Sequence, residues 1–355
     1  LIYTPGVFAK TEELIEVAKV AAAAGGIYAT HQRSESGEIF SSLDEIIRIG
    51  REAGIRIQIS HLKLSGPANW GKADAVLHVI EAAREAGLDI TQDQYPYTAS
   101  STGIGQLVPD SLKDGGRARM VDRINDPIAK ASAVEEMKAT LRKRQSPDYA
   151  YAVIASYKVD PTLNGLNIAE AARQTRGADT LDDQIEMVLE IERNGGASGV
   201  FHGMSDPDLE TFMRHPNTMF ASDSGVRKLN ADMPHPRGYG TDARVLATYV
   251  RDKKVLRLED AIRRMSSLPA QTFRFPDRGE LRVGNMADII VFDPQTVSDH
   301  ASYKDPHHYA TGFRYVFVNG VLVVLNDQHT GARPGMVLRH KALATPVSKE
   351  PIAAD

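Results

Sequence analysis

Cysteine is absent from this 355-residue chain. Its absence excludes disulfides and thiolate metal sites within these residues, so any metal here is held by histidine and carboxylate. Lack of cysteine does not fix the compartment, and a cytoplasmic location is only the default expectation. Long hydrophobic runs are missing too: none approaches the ~20 residues of a membrane-spanning helix, so no membrane partner is expected. Neither charge sign dominates, with 42 Lys+Arg against 46 Asp+Glu and a formal charge of -4. The chain therefore lacks the basic footprint of a nucleic-acid binder. Internal repeats and low-complexity segments are also absent. What remains is an ordinary globular composition, 42% hydrophobic, long enough for one large domain and a small one.

Against that background two histidines stand out. Thr30-His31-Gln32-Arg33 follows the apolar run Gly26-Ile27-Tyr28-Ala29, and Ser60-His61-Leu62-Lys63 follows Ile55-Arg56-Ile57-Gln58-Ile59. Both runs read as buried parallel strands with a helical segment between them. Successive βα units place their strand ends on one rim, the rim that barrel enzymes use for chemistry. Neutral imidazole is a common metal ligand. A third apolar run, Met219-Phe220-Ala221-Ser222, ends in Asp223. Two His and one Asp at strand ends make half of a zinc hydrolase site.

In chain order, Thr11-Glu12-Glu13-Leu14 opens a helix that continues through Ala24 and stops at Gly25-Gly26. Ser42 with Glu45 three residues on predicts a capped helix start, ending near Ala53-Gly54. Helical spacing returns over residues 73–86, and Leu88 to Tyr95 reads as the next strand. The first hundred residues are thus αβαβαβ, suited to right-handed parallel crossovers. Residues 103–148 are expected to be an insertion over the rim, acting as a lid. Further strands of the same series are predicted at 150–156, 199–202 and 219–223. A helix capped at Asp206-Pro207-Asp208 is predicted to run to Arg214, with more helix at 241–252 and 258–266. After Pro276 the pattern changes to short strands and turns, among them Asn319-Gly320, a favoured hairpin turn.

The ordered set of these motifs resembles the amidohydrolase superfamily, and within it the N-acyl-D-amino-acid deacylases, or D-aminoacylases. Besides the two His motifs, it includes Asn69-Trp70-Gly71, Tyr95-Pro96-Tyr97-Thr98-Ala99-Ser100, Ser222-Asp223, His235-Pro236-Arg237, Gly284-Asn285-Met286-Ala287-Asp288 and Thr330-Gly331-Ala332-Arg333-Pro334-Gly335. The resemblance implies an α/β fold: a (β/α)8 TIM-type barrel over residues 1–276 and a C-terminal β-sandwich module over 277–355. It also implies a His-x-His pair and, in D-aminoacylases, a cysteine ligand on early strands. Neither is present here, so the first strands and their ligands are expected upstream of Leu1.

The resemblance assigns roles. His31, His61 and Asp223 are the expected ligands of one or two Zn2+ ions. Asp223 is also the expected general base, taking a proton from water and passing it to the leaving nitrogen. Arg237 is expected to clamp the substrate α-carboxylate, which a planar guanidinium matches bidentately. Lys63, two residues past His61 and so on the same strand face, is expected at the substrate with Tyr95, a donor for the developing oxyanion, and Ser101, a polar pocket contact. His202 is a weaker candidate ligand. Arg33, Arg227 and Lys228 are candidate readers of an acidic side chain, though each also reads as a solvated surface charge. Trp70 reads equally as packing or substrate contact, and His235, His307 and His308 lack partners at ligand spacing. The implied partner is a small N-acyl amino acid, with a homo-oligomer left open. The implied reaction is metal-dependent amide hydrolysis giving a carboxylate and a free D-amino acid. The competing expectations are a cyclic-amide or dipeptide hydrolase of the same superfamily, and a non-catalytic protein that retains the fold.

Overall fold

The computed structural model describes residues 1–227, 229 and 232–339. Four strands form a parallel sheet in the order β1-β2-β3-β7: β1 (Ile27–Thr30), β2 (Arg56–Ile59), β3 (Ile90–Gln94) and β7 (Thr218–Phe220). Helices α1 (Thr11–Ala23), α2 (Ile39–Ala53) and α3 (Ala73–Glu85) alternate with the first three strands, as the apolar spacing predicts. Among the described residues this sheet is open, with β1 and β7 at its edges.

The α2 face toward the sheet carries Ile39, Leu43, Ile46 and Gly50, all buried, against Ile57 and Ile59 of β2. Each large aliphatic side chain buried there contributes about 1.5–3 kcal/mol. Gly50 sets the closeness of approach: a Cβ at that position would lie 2.3 Å from Ile57 Cδ1 and 3.0 Å from Leu88 Cδ1. Gly50→Ala is accordingly expected to destabilise the protein by about 1–3 kcal/mol through overpacking, despite alanine's better helix propensity. A lowered urea midpoint at unchanged m value is the readout.

The start of α2 differs from the sequence expectation. The helix begins at Ile39, so Ser42 lies inside its first turn. Ser42 Oγ instead accepts from Ser34 N at 2.8 Å, and Glu45 binds Arg33 through both carboxylate oxygens at 2.9 Å. Both residues brace the loop after β1, which carries part of the site, and Glu45 Oε1 also accepts from Thr11 Oγ1 at 2.8 Å.

The strands predicted at 150–156 and 199–202 form, but outside the parallel series. β4 (Ala99–Gly103), β5 (Ala152–Ser156) and β6 (Ser198–His202) make a separate antiparallel sheet in the order β4-β6-β5. Between them run α4 (Asp110–Lys113), α5 (Gly116–Asn125), α6 (Pro127–Arg144), α7 (Ile168–Arg176) and α8 (Leu181–Arg193). Met137 and Leu141 of α6 share one core with Ile185 and Val188 of α8 and with Ile154 of β5. The segment 103–148 thus packs into a module that extends on to β6. Short apolar runs of this kind look alike in parallel and antiparallel sheets, and so the sequence did not separate them.

α9 (Asp206–Arg214) leads back to β7. Its cap is Ser205, whose Oγ accepts from Asp208 N at 3.2 Å, one residue before the cap predicted. α10 (Arg237–Arg244) runs into a π-helical stretch, Val245–Asp252. The described part of the tail is a four-stranded antiparallel sheet, β11-β10-β9-β8: β8 (Ile289–Phe292), β9 (Phe313–Val318), β10 (Val321–Leu325) and β11 (Gln328–His329). Asn319 and Gly320 join β9 to β10 with φ of 50° and 80°, the left-handed pair a type I′ turn needs.

Candidate active site

The carboxyl ends of the four parallel strands carry His31, His61, Tyr95 and Asp223, so these side chains share one rim. A cavity of about 400 Å³ opens there. His61 and Asp223 both have left-handed backbones, with φ of 40° and 48°. Non-glycine residues at positive φ cost stability and concentrate at functional sites. The His61 turn is held by Asp93 of β3, whose Oδ1 accepts from His61 N at 2.7 Å.

His31 Nδ1 and His61 Nε2 face each other directly, with ring centroids 4.4 Å apart. On its far side His61 Nδ1 lies 2.8 Å from Glu35 Oε1, and Lys63 Nζ lies 2.6 Å from the same oxygen. Lys63 also donates to His61 O at 2.9 Å. Lys63 Nζ lies 2.7 Å from His61 Nδ1 as well, so Glu35 and Lys63 together hold the Nδ1 side of the ring. That leaves Nε2 as the ring nitrogen facing His31, with Nδ1 held from behind as neighbouring groups hold a metal-ligating histidine. Burial raises the Glu35 carboxyl, but Lys63 and His61 outweigh it and hold the group at about 2. Partial desolvation, with His61 alongside, lowers the His31 imidazole from its usual value.

Asp223 and Arg237 form the second part of the site. Arg237 begins α10, is buried, and brings Nη1 to 2.8 Å from Asp223 Oδ2. That contact is out of line for a hydrogen bond. Nη2 donates to Ser101 O at 3.2 Å, and the guanidinium lies 4.6 Å from the Tyr95 ring centre. His235 explains how Arg237 is placed: its Nδ1 accepts from Arg237 N at 3.0 Å and its Nε2–H donates to Ala99 O at 2.8 Å. Burial, then the Arg237 charge, pushes His235 down to about 3, consistent with this neutral, two-bonded ring. Tyr95 is buried and its hydroxyl has no hydrogen-bond partner among the described residues; burial raises its pKa well above the usual tyrosine value.

The sequence-predicted residues thus come together: His61, Lys63, Tyr95, Ser101 and Asp223 line the cavity, His31 abuts His61, and Arg237 abuts Asp223. Two differ from their expected use. Lys63 sits on Glu35 and the His61 carbonyl, and Arg237 is already on Asp223. The remaining candidates lie elsewhere. His202 packs its ring against Tyr303, centroids 4.7 Å apart. Arg33 is consumed by Glu45 and by the carbonyls of Val7 and Ala9. Arg227 is exposed, and Lys228 lies outside the described residues. Trp70 donates through Nε1 to Gly203 O at 2.9 Å, a packing role. His307 meets Tyr239 and Asp232, and His308 meets Asp305. Sequence reading missed Glu35, Asp93 and the positioning role of His235. Only the last carried a signal, its place two residues before Arg237.

Among the described residues no three His, Cys, Asp or Glu side chains converge on one point. The two neighbouring imidazoles supply nitrogen donors of the kind an ion such as Zn2+ takes in a chain without thiolates. No helix among the described residues is long and apolar enough to cross a membrane.

Residues 39–324 match the model of the "Amidohydrolase family". The chain is 35% identical over 340 residues to a D-aminoacylase of Alcaligenes xylosoxydans xylosoxydans, covering 96% of this chain and 60% of the relative. A solved D-aminoacylase structure, described as having a binuclear metal centre with one-metal activation and second-metal attenuation, superposes with a TM-score of 0.73 at 33% identity over 93% of this chain and 60% of that one. An N-acyl-D-glutamate deacylase from Bordetella bronchiseptica, solved with zinc and a phosphonate mimic of the tetrahedral intermediate, gives 0.76 at 31% identity over 96% and 61%. The chain therefore spans about 60% of the length of the relatives it matches.

Proposed function

We propose that this chain, which belongs to the amidohydrolase family, carries out metal-dependent hydrolysis of the amide bond of N-acyl-D-amino acids, releasing a carboxylate and a free D-amino acid. The observation that supports it most is the meeting, at one cavity, of an oriented imidazole pair with a carboxylate–guanidinium pair and an unpartnered tyrosine hydroxyl. The preference for the D hand is carried by the relatives, which are D-aminoacylases and N-acyl-D-glutamate and N-acyl-D-aspartate deacylases.

His31 and His61, with Asp223, would hold one or two Zn2+ ions. Bound there, the ion supplies a Lewis acid for the amide carbonyl and lowers the pKa of water toward ~7. Asp223 takes the proton from the attacking water and returns it to the leaving nitrogen. Tyr95 donates its free O–H to the carbonyl oxygen as negative charge builds there. Arg237 binds the α-carboxylate through the Nη1–H that Asp223 leaves unaligned. Lys63 neutralises Glu35 and fixes it beneath His61.

The positioning role of Glu35 has its own test. Glu35→Gln is expected to weaken zinc affinity about 10- to 100-fold, read by titration against a competing chelator, with folding monitored by circular dichroism.

The activity is tested with the zinc-loaded protein on N-acetyl-D- and N-acetyl-L-amino acids bearing apolar, neutral and acidic side chains. Hydrolysis confined to the D series is the expected result. Activity on cyclic amides alone would point to the hydantoinase- or dihydroorotase-like reading. No turnover with no bound zinc would point to a non-catalytic protein.

A further inference from the structure

Arg144, in the last turn of α6, is a cavity-lining cation that the proposed reaction leaves unused. Its guanidinium stacks on the Tyr151 ring at 4.0 Å. Nη1 donates to Ser65 Oγ at 3.2 Å and Nη2 to His202 O at 3.3 Å. Nε is buried and has no partner among the described residues. Among the described residues no carboxylate pairs with it, and burial lowers its pKa, with only Tyr151 opposing.

The surrounding backbone is shaped around this side chain. A Cβ on Gly203 would lie 2.2 Å from Arg144 Nη2, and one on Gly66, at φ 90°, would lie 2.9 Å from Arg144 Cγ. Gly66 N and Trp70 Nε1 both donate to Gly203 O, at 2.7 and 2.9 Å, locking the two glycine loops together. The guanidinium is therefore held in one place by a stack and a close-fitting backbone, while its charge faces only neutral acceptors. A half-buried charge without a counterion is costly, and an incoming anion relieves the cost.

Charge balance around the cavity points the same way. Glu35 is neutralised by Lys63 and Asp223 by Arg237. What remains is Arg144 and Lys143 against Glu38, an exposed rim residue, a surplus of positive charge. Leu107 and Phe201 give the same cavity an apolar wall suited to methylenes.

Building on the reading of the site as an N-acyl-amino-acid hydrolase, we propose that Arg144 is a specificity-determining residue that receives a second substrate carboxylate, distinct from the α-carboxylate taken by Arg237. That carboxylate belongs either to an acidic amino-acid side chain or to a dicarboxylic acyl group.

The test compares the zinc-loaded protein with Arg144→Gln and Arg144→Lys on N-acetyl-D-glutamate, N-succinyl-D-leucine and N-acetyl-D-leucine. Both KM and, by equilibrium titration, Kd are measured. Removing a charge-assisted hydrogen bond is expected to weaken one dicarboxylate by about ten- to a hundredfold in Arg144→Gln. The neutral substrate should change less than about twofold, and Arg144→Lys should recover part of the loss. Selective loss on the glutamate compound assigns the side chain, and selective loss on the succinyl compound assigns the acyl group. Ser65→Ala, which removes one bond but not the charge, should keep the wild-type preference. Equal losses on all three ligands, or no loss on either dicarboxylate, would overturn the proposal. Absence of turnover bears on the proposed reaction alone, because the Kd comparison still decides the role of Arg144.

Discussion

Asp223→Asn should lower kcat by about 10²- to 10⁴-fold, the contribution of a positioned general base. The substitution is clean for structural reasons. Asp223 has φ 48°, a conformation asparagine tolerates as well as aspartate, so the strand end keeps its shape. The amide is also isosteric with the carboxylate. The charge, however, is gone, and Arg237 Nη1, 2.8 Å away, loses its counterion. Binding of the α-carboxylate should then hold or tighten, so KM stays level or falls while kcat collapses. Steady-state kinetics combined with metal content by mass spectrometry make the check. A loss of activity that tracks loss of zinc would make Asp223 chiefly a ligand; retained zinc with low kcat makes it the base. Wild-type kcat in the variant would remove Asp223 from the chemistry.

Tyr95→Phe is expected to reduce kcat by about 10²- to 10³-fold, as for loss of one oxyanion donor, without destabilising the fold. This combination follows from the unpartnered hydroxyl. A buried donor with no acceptor contributes nothing to the native state and carries its desolvation cost, so deleting it is neutral or slightly stabilising. The ring itself remains, and with it the stack under Arg237 at 4.6 Å. A tyrosine kept for packing predicts unchanged kcat. Thermal unfolding and kinetics on the same sample separate the two, and a variant that is both less stable and equally active would refute the donor role.

Much of this site was legible because its residues sit where hydrophobic pattern changes. His31, His61 and Asp223 each close an apolar run, and a period-2 or continuous apolar segment ending in a polar residue is visible without a structure. The Asn319-Gly320 hairpin was readable for the same local reason. Glu35 was not: it lies in Arg33-Ser34-Glu35-Ser36-Gly37, a stretch with no periodicity, and its meaning depends on a lysine 28 residues later. Arg144 was hidden differently. Arg142, Lys143 and Arg144 end a charged helix, where basic residues are favoured by the helix dipole. Only packing shows that one of the three turns inward. Ser42 and Glu45 illustrate the reverse case, a good capping pattern whose two side chains had stronger partners in the neighbouring loop.

The separation of the two sheets has a bearing on how such a protein diversifies. The groups proposed to react stand on the parallel sheet and on α10, whereas Thr140, Lys143, Arg144, Tyr151 and Phe201 reach the cavity from the module between β4 and β6. That module has its own apolar core. Substitutions on its cavity-facing surface can drift without disturbing the imidazole pair or the Asp223 turn. Substrate range and catalytic competence are therefore exposed to selection as nearly independent traits, and a lineage can exchange one clientele for another while inheriting its chemistry intact.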